Sequence, residues 1–354
     1  MSSLRFALIL VLFASVGLLR AGDFEFHGYG ELHYNAPEDG EKELDLHRFV
    51  LGMHYTWDDK WSFDMEVDFE HAFEEPEFEF LHLDYAYHES LNFRAGLILM
   101  PMGMLNQNHE PPLFFSVERP YVEKYILPTS WQEPGFGAFG HFGQGFDYQA
   151  YIISSVAANG DKGNGGIRGW RTSGGESPAN DVAFTGRLTW STPGLTVGTS
   201  LFSGNVVNSE ASEVNSSMFL YDVDFHFRKS GFDVRGTYAT SHLSDAAKLN
   251  QELGWEGAQS AGEDQYGYYL TCGYNLLKGR AQRLMPFVRF EKYDTQDGVP
   301  VGFENDPTTE RQITTVGVSF YPRADVVIKA DYEDWDITDG DAKKQFNLGI
   351  GFQY

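Results

Sequence analysis

The chain repeats one pattern along most of its length: segments of about ten residues in which every second side chain is apolar. In residues 61–69 the sequence WSFDMEVDF alternates apolar and polar side chains without a break. A strand points successive side chains to opposite faces, whereas a helix repeats every 3.6 residues and cannot produce this alternation. Short and long connections alternate between the segments. The pattern therefore predicts antiparallel strands that pair with their sequence neighbours.

Sixteen segments carry this alternation. An even number of strands returns both ends of the chain to the same side of a closed sheet. The predicted strands lie at residues 24–34, 44–57, 61–69, 78–87, 91–99, 136–142, 146–154, 182–190, 195–202, 218–227, 232–240, 266–276, 286–293, 313–320, 326–332 and 346–354.

The size of this sheet decides which of its faces is wet. A closed sheet of about sixteen strands encloses a lumen too wide for side chains to fill, so water enters it and the apolar face must contact lipid. The alternative is a soluble β-sandwich, which would bury Trp61, Phe63 and Met65 between two sheets. We predict an all-β, transmembrane, antiparallel up-and-down β-barrel of about 16 strands. Its turns would be short on the periplasmic side, and its loops long on the extracellular side.

The first 21 residues have the features of an export signal. Arg5 precedes an apolar run from Phe6 to Leu19, and Ala21 stands before Gly22. The run is shorter than the roughly 18–20 residues that span a bilayer, which favours a cleaved secretory signal over a membrane anchor. The predicted organisation is a signal peptide at residues 1–21 and a single barrel domain at residues 22–354.

The last nine residues, FNLGIGFQY, place apolar side chains on one face and end on Tyr354. They resemble the closing-strand signal that outer-membrane proteins present to the barrel assembly machinery. Together with the export signal, this strand predicts a bacterial outer-membrane location, with lipid and lipopolysaccharide around the barrel.

The net charge of the chain limits the kinds of molecule that the protein can bind. The net charge of −25 excludes nucleic acid and favours cations in a pore. Residues 23–90 are strongly acidic, since only Lys42, Arg48 and Lys60 are basic among them. The single cysteine, Cys272, cannot form an internal disulfide.

Alternation also predicts which charged side chains face the lumen. An acidic early wall opposite later arginines would create a transverse field across the pore. The alternative is that these residues are solvated and paired with one another. The candidate pore-lining or constriction residues are Arg48, Asp64, Glu66, Asp68, Asp84, Arg94, Glu118, Arg119, Lys124, Arg187, Arg235 and Arg289.

The longest connection, residues 101–135, is rich in rings and prolines. Rings are costly on a fully exposed loop, so we expect this third loop to fold into the lumen and place Glu118, Arg119, Glu123 and Lys124 at a constriction. Capping of the outer mouth, or packing on a neighbouring subunit, is the alternative. The aromatic residues are Phe114, Phe115, Tyr121, Tyr125 and Trp131.

The run from Arg94 through AGLILMPMGMLNQNHEPPLFFSVERPYVEKYILPTSWQEPGFGAFG resembles the corresponding segment of the phosphate-selective porins O and P. The resemblance covers about residues 44–142 and implies a sixteen-stranded, trimeric diffusion channel. That family's selectivity depends on a dense ladder of bases, whereas this loop has only Arg119 and Lys124. We therefore expect a cation-preferring porin, with phosphate or anion selectivity as the alternative. The matching positions are Arg48, Arg94, Gly96, Pro101, Gly103, Glu110, Glu118, Arg119 and Gly135.

Two other functions fit the sequence less well than a porin. An enzyme is disfavoured because the sequence has no Gly-x-Ser-x-Gly motif and no histidine with an evident serine and carboxylate partner. A divalent-metal-binding channel is the other alternative, since imidazoles lie among the acidic residues of the first 90. Their spacing follows strand alternation, so no metal site or cofactor is predicted. The histidines concerned are His27, His33, His47, His71, His82 and His88.

Overall fold

The computed structural model describes residues 22–160, 163–207 and 214–354. The predicted signal peptide lies outside the described residues. Within the described ranges, no helix combines the length and the hydrophobicity that a bilayer-spanning helix needs, a finding that does not bear on crossing by strands.

The strands form one closed antiparallel barrel in which every strand pairs with its sequence neighbours and β1 closes on β16, with Leu32 opposite Ile350. All sixteen predicted strands are confirmed. Their bounds are β1 Asp23–Pro37, β2 Glu43–Thr56, β3 Trp61–Glu70, β4 Glu75–His88, β5 Leu91–Leu99, β6 Gln132–Phe142, β7 Phe146–Ser154, β8 Val182–Thr192, β9 Leu195–Asn205, β10 Ser217–Lys229, β11 Phe232–Leu243, β12 Asp264–Tyr274, β13 Arg283–Gly298, β14 Arg311–Arg323, β15 Val326–Ile337 and β16 Lys343–Gln353.

Short turns at one end of the barrel alternate with longer loops at the other, as predicted. The loops hold two described α-helices, α1 at Tyr121–Tyr125 and α2 at Ala246–Leu253. The longest connection joins β5 to β6 and spans residues 100–131; it is called L3 below. L3 ends earlier than predicted because Gln132 already pairs with Leu99 in the β5–β6 ladder.

The outer face of the barrel is apolar. Phe26, Leu44 and Val182 are 64%, 69% and 65% exposed, and Trp61 also points outward. Charged side chains on the same strands, such as Glu31, lie buried inside the barrel. The predicted orientation of the two faces is therefore confirmed, and the β-sandwich alternative is excluded.

Bulges in two of the early strand pairs add residues that point into the lumen. Glu66 lies opposite Phe80 while Val67 lies opposite Phe78, so Glu79 is an extra residue in β4 and is fully buried inside the lumen. A second register shift, between β1 and β2, leaves His47 as the extra residue. A bulge re-aims a side chain that strict alternation would point to the opposite face.

Candidate channel constriction

L3 folds into the lumen, as predicted, and its polar backbone is bound to the wall made by β13 and β15. The Val117 amide donates to Asp331 Oδ2 at 2.6 Å, and the Tyr121 amide donates to Glu291 Oε2 at 2.5 Å. The Tyr121 hydroxyl donates to Glu333 Oε2 at 2.9 Å. Backbone N–H groups inside a protein need such acceptors, so inward carboxylates of the wall satisfy the irregular backbone of the loop.

The apolar side chains of L3 fill the part of the lumen next to the later strands. They join inward residues of these strands in one buried cluster, in which the Trp131 ring lies 5.1 Å from that of Phe202. Burial of this surface supplies the hydrophobic driving force for insertion of the loop. The L3 members are Met100, Met102, Tyr121, Val122, Ile126, Leu127 and Trp131.

Between L3 and the early strands remains a cavity of about 320 Å³, called the slit below. It lies in the extracellular half of the barrel, since its walls include His47 near the start of β2 and Glu70 and His71 at the end of β3, on the side opposite the short turn that joins these two strands. Its lining residues are Glu31, His33, His47, Arg48, Glu70, His71, Glu77, Phe114, Val117, Glu118, Arg119, Lys124, Thr129, Ser130, Arg168 and Arg171.

The slit carries opposite charges on its two sides. The early strands contribute Glu31, Glu70 and Glu77 beside Arg48, whereas the L3 side contributes the basic residues Arg119, Lys124, Arg168 and Arg171 beside Glu118. Opposed charges across a narrow passage orient dipolar solutes and set ion preference.

Arg168 and Arg171 belong to the connection between β7 and β8, and sequence reasoning did not select them. Arg168 donates to the carbonyl oxygens of Lys124 at 3.1 Å and Thr129 at 2.8 Å, so this connection is bound to L3. Burial and the neighbouring Arg168 charge lower the pKa of Arg171 to about 10, which leaves it cationic at neutral pH. A loop has no side-chain periodicity, and the sequence therefore gives no signal of this contact.

Glu118 stands on the L3 side of the slit, facing His33. Burial raises the pKa of the Glu118 carboxyl, but the interaction with His33, 3.6 Å away, outweighs burial and holds this pKa well below its usual range. The Asn35 side chain also donates to Glu118 at 3.0 Å. Glu118 is therefore an anion fixed in place between L3 and β1.

Arg48 lies at the inner end of the slit and is surrounded by four carboxylates. Its guanidinium lies 2.6 Å from Glu70, 3.2 Å from Glu79, 3.4 Å from Glu31 and 3.5 Å from Asp68. Several buried carboxylates therefore interact with the same buried guanidinium group.

Glu79 connects this group to L3. It accepts a hydrogen bond from the Tyr29 hydroxyl at 2.8 Å, and His109 Nε2 of L3 lies 2.9 Å from it. Arg48 faces the slit, whereas Tyr29 lines a separate cavity of about 310 Å³ toward the periplasmic end. The network of Arg48, Glu79, Tyr29 and His109, called the Arg48 network below, separates these two spaces and attaches L3 to the early wall.

The candidate residues from the sequence fall into several places. The structure brings Arg48, Glu118, Arg119 and Lys124 together in the slit. Asp64 and Arg94 line a periplasmic-side cavity of about 430 Å³, and Asp84 forms an ion pair with Arg94 at 2.8 Å. Glu66 lines the cavity beside Tyr29, and Asp68 is buried beside Arg48. Arg187 and Arg235 line a cavity of about 390 Å³ beside L3. Arg289 is buried behind L3, where it contacts Glu291.

The carboxyl group of Glu123 in α1 should make the stability of the folded protein depend on pH. It is fully buried, and burial together with the charges of Asp222 and Asp224 raises the pKa of Glu123 to about 8. In the unfolded chain a glutamate ionises near pH ~4.3, so the folded protein keeps a proton that the unfolded chain has already lost. Glu123 should therefore lower the stability of the folded protein as the pH rises from about 4 to 8. Above pH 8 its contribution to stability should change little.

Substitution of Glu123→Gln should remove this loss of stability, because a glutamine side chain carries no titratable proton. Its amide oxygen can still accept a hydrogen bond from the Tyr269 hydroxyl, which lies 3.0 Å from Glu123. We expect the variant to have a higher melting temperature than wild type at pH 9 and the same one at pH 4. Thermal unfolding in detergent measures both. Glu41→Gln in the exposed β1–β2 loop is the control, and an equal response of both variants would contradict the assignment.

No protein-family model matches the chain. A protein of Aquifex aeolicus (strain VF5), named "Uncharacterized protein", is 36% identical over 333 residues, which cover 88% of this chain and 76% of that protein. Salmonella typhi OmpF, solved with daunomycin, is similar with a TM-score of 0.66 at 10% identity over 94% of this chain and 98% of its own. The anion-selective porin from Comamonas acidovorans is similar with a TM-score of 0.63 at 8% identity over 94% and 100%. These likenesses establish a porin barrel fold, while the resemblance to the phosphate-selective family stays a prediction.

Proposed function

Because this chain belongs to the same protein family as the Aquifex aeolicus relative and folds as a porin barrel, we propose that it is a passive outer-membrane channel for small hydrophilic solutes. The observation that carries the proposal is the charged slit between L3 and the early strands. An apolar outer face suits lipid, and polar groups around internal cavities suit solutes that carry water. The proposal includes no catalytic step.

Cation preference is the selectivity that we propose. The net charge of −25 and the acidic early wall attract cations to the lumen, and Glu118 remains ionised at the slit. An anion-selective channel is the second candidate, because four basic side chains line the opposite side of the slit. The two candidates predict opposite signs of the reversal potential in a salt gradient.

The export route and the assembly belong to the same proposal. We infer that residues 1–21 direct secretion, that the strand ending at Tyr354 engages the barrel assembly machinery, and that the barrels form trimers. Native mass spectrometry of protein extracted from the membrane would give the oligomeric state.

Planar-bilayer recording of the purified protein tests the function and the selectivity together. We expect ohmic conductance and a reversal potential of the cation-selective sign across a potassium chloride gradient. Lys124→Gln should increase the cation preference, because it removes a positive charge from the slit. Glu70→Gln should decrease it by removing a negative charge from the opposite side.

Glu89→Gln is the matched control for these charge changes. Glu89 is an exposed carboxylate in the periplasmic turn between β4 and β5, so its removal should leave the reversal potential nearly unchanged. A wild-type reversal potential of the anion-selective sign would exclude cation preference and favour the second candidate. Absence of conductance from correctly folded protein would overturn the channel itself.

A further inference from the structure

Three potential metal ligands converge at the extracellular rim of the slit. Asp45 Oδ2 lies 3.2 Å from His47 Nδ1 and 2.9 Å from His71 Nδ1. One ligand atom from each of the three residues lies within 4.8 Å of the other two. The three side chains are only partly buried, and both imidazoles line the slit, so a dissolved ion can reach them.

The backbone places these groups through local irregularities. His47 lies two residues after Asp45 and so shares its face of β2, and because His47 is the extra residue of the bulge, the next residue, Arg48, can face the slit as well. His71 directly follows β3 and has a φ of 48°, in the left-handed region, which turns the chain sharply at the end of the strand. The connection of residues 71–74 thereby brings the His71 ring next to β2, with its centroid 5.6 Å from that of His47.

The ligand set selects the class of ion. Two imidazole nitrogens with one carboxylate oxygen suit Zn²⁺, Ni²⁺ or Cu²⁺ rather than Mg²⁺ or Ca²⁺, which prefer oxygen ligands alone. Zinc binds such atoms at about 2.0–2.2 Å in a tetrahedral arrangement, which sets adjacent ligand atoms about 3.3–3.6 Å apart. The two separations from Asp45 are already close to this value, and all three ligand atoms lie within 4.8 Å of one another, so small side-chain shifts suffice to bring them onto one ion.

Packing around the cluster holds one of its ligand rings in place. The His33 ring stacks on His47 with centroids 4.5 Å apart, and Glu31 and Glu118 hold His33 at 3.0 and 3.6 Å. This packing fixes the His47 ring, as partners outside the coordination sphere do in metal sites.

The nearest arginine on β2 does not compete with the site. The Arg48 guanidinium points instead into its own group of carboxylates, with Glu70 at 2.6 Å. Its positive charge is therefore largely compensated.

We propose that Asp45, His47 and His71 bind a divalent transition-metal ion at the extracellular rim of the slit. Three protein ligands leave a fourth position for water, so the ion stays exchangeable with the medium. The inference rests on the proposed channel only for its consequence: a bound dication at the rim would oppose the entry of other cations.

Calorimetric titration of the tag-free barrel in detergent with zinc chloride tests the site. We expect one saturable zinc site in wild type and an affinity lower by at least about tenfold in His71→Ala. Substitution of residues that only support the ligands already lowers metal affinity by about this factor, and His71 is itself a ligand in the proposed site. His141→Ala is the matched control, because His141 also lies beside a carboxylate, Asp147, but is not part of a three-ligand group among the described residues. This control should bind like wild type.

Far-UV circular dichroism of each variant establishes that the barrel is intact. The substitution at residue 71 should leave the spectrum unchanged, because this residue lies in a loop. Absence of saturable binding in wild type, or equal affinity of wild type and His71→Ala, would overturn the site. Zinc added on the extracellular side should reduce cation conductance in wild type and not in His71→Ala. Zinc binding without conductance would overturn the channel alone, and conductance without zinc binding would overturn the site alone.

Discussion

Removal of residues 102–129 from L3, with Asn-Gly in their place, is expected to raise the single-channel conductance several-fold. The segment contributes most of the L3 side chains in the apolar cluster, together with Arg119 and Lys124 of the slit, so its loss widens the lumen even though the β7–β8 connection with Arg168 and Arg171 remains. The join is geometrically feasible because the Met100 amide donates to the Trp131 carbonyl at 2.8 Å, which places the two ends of the loop side by side. Asn-Gly favours the tight turn that such a hairpin needs.

The barrel should survive this deletion. Its strand ladder does not include L3, and charged groups now covered by the loop, such as Glu291 and Asp331, would become hydrated by water in the lumen. Shortening the exposed β1–β2 connection at residues 39–41 to Asn-Gly is the control and should leave the conductance unchanged. If removal of L3 also left it unchanged, the loop would not be the constriction.

Substitution of Glu79→Ala is expected to lower the free energy of unfolding by ~3–5 kcal/mol, the usual cost of removing one partner from a buried ion pair. Glu79 is fully buried and accepts the Tyr29 hydroxyl, and both Arg48 and His109 lie within 3.2 Å of it. Its loss leaves the Arg48 charge less compensated and frees one attachment of L3. Urea unfolding in phospholipid vesicles, followed by tryptophan fluorescence, measures the change.

Glu77→Ala is the control for this substitution. Glu77 is on the same strand, but it is exposed at the edge of the slit, where a substitution usually changes stability by about 0.5 kcal/mol or less. Equal effects of the two substitutions would show that the buried network does not stabilise the barrel. A Glu79→Gln variant, which keeps an acceptor for Tyr29, should lie between the two.

The strands and their faces could be predicted because alternation is a local, periodic property of the sequence. The run from Trp61 to Phe69 needs no tertiary information to be recognised as a strand with one apolar face. Insertion of L3 could be predicted for a related reason: rings such as Trp131 have to be buried, and the lumen is the space available to them.

The composition of the slit could not be predicted in the same way. Arg168 lies 44 residues from Lys124 in sequence, and loop conformation alone brings them together. Glu79 faces the lumen only because a bulge shifts β4 by one residue, and the flanking sequence does not mark that bulge. His109 was not selected because a histidine in an irregular loop has no face that periodicity can assign.

The sequence by itself determined a sixteen-stranded barrel with an apolar exterior, a charged interior and an inserted third loop, because each of these features follows from short-range pattern and composition. The tertiary structure alone decided which charges meet across the lumen: the four carboxylates around Arg48, the basic side of the slit and the cluster of Asp45, His47 and His71. These contacts depend on bulges, loop paths and strand closure, which join residues distant in sequence, and a local pattern holds no information about such pairs.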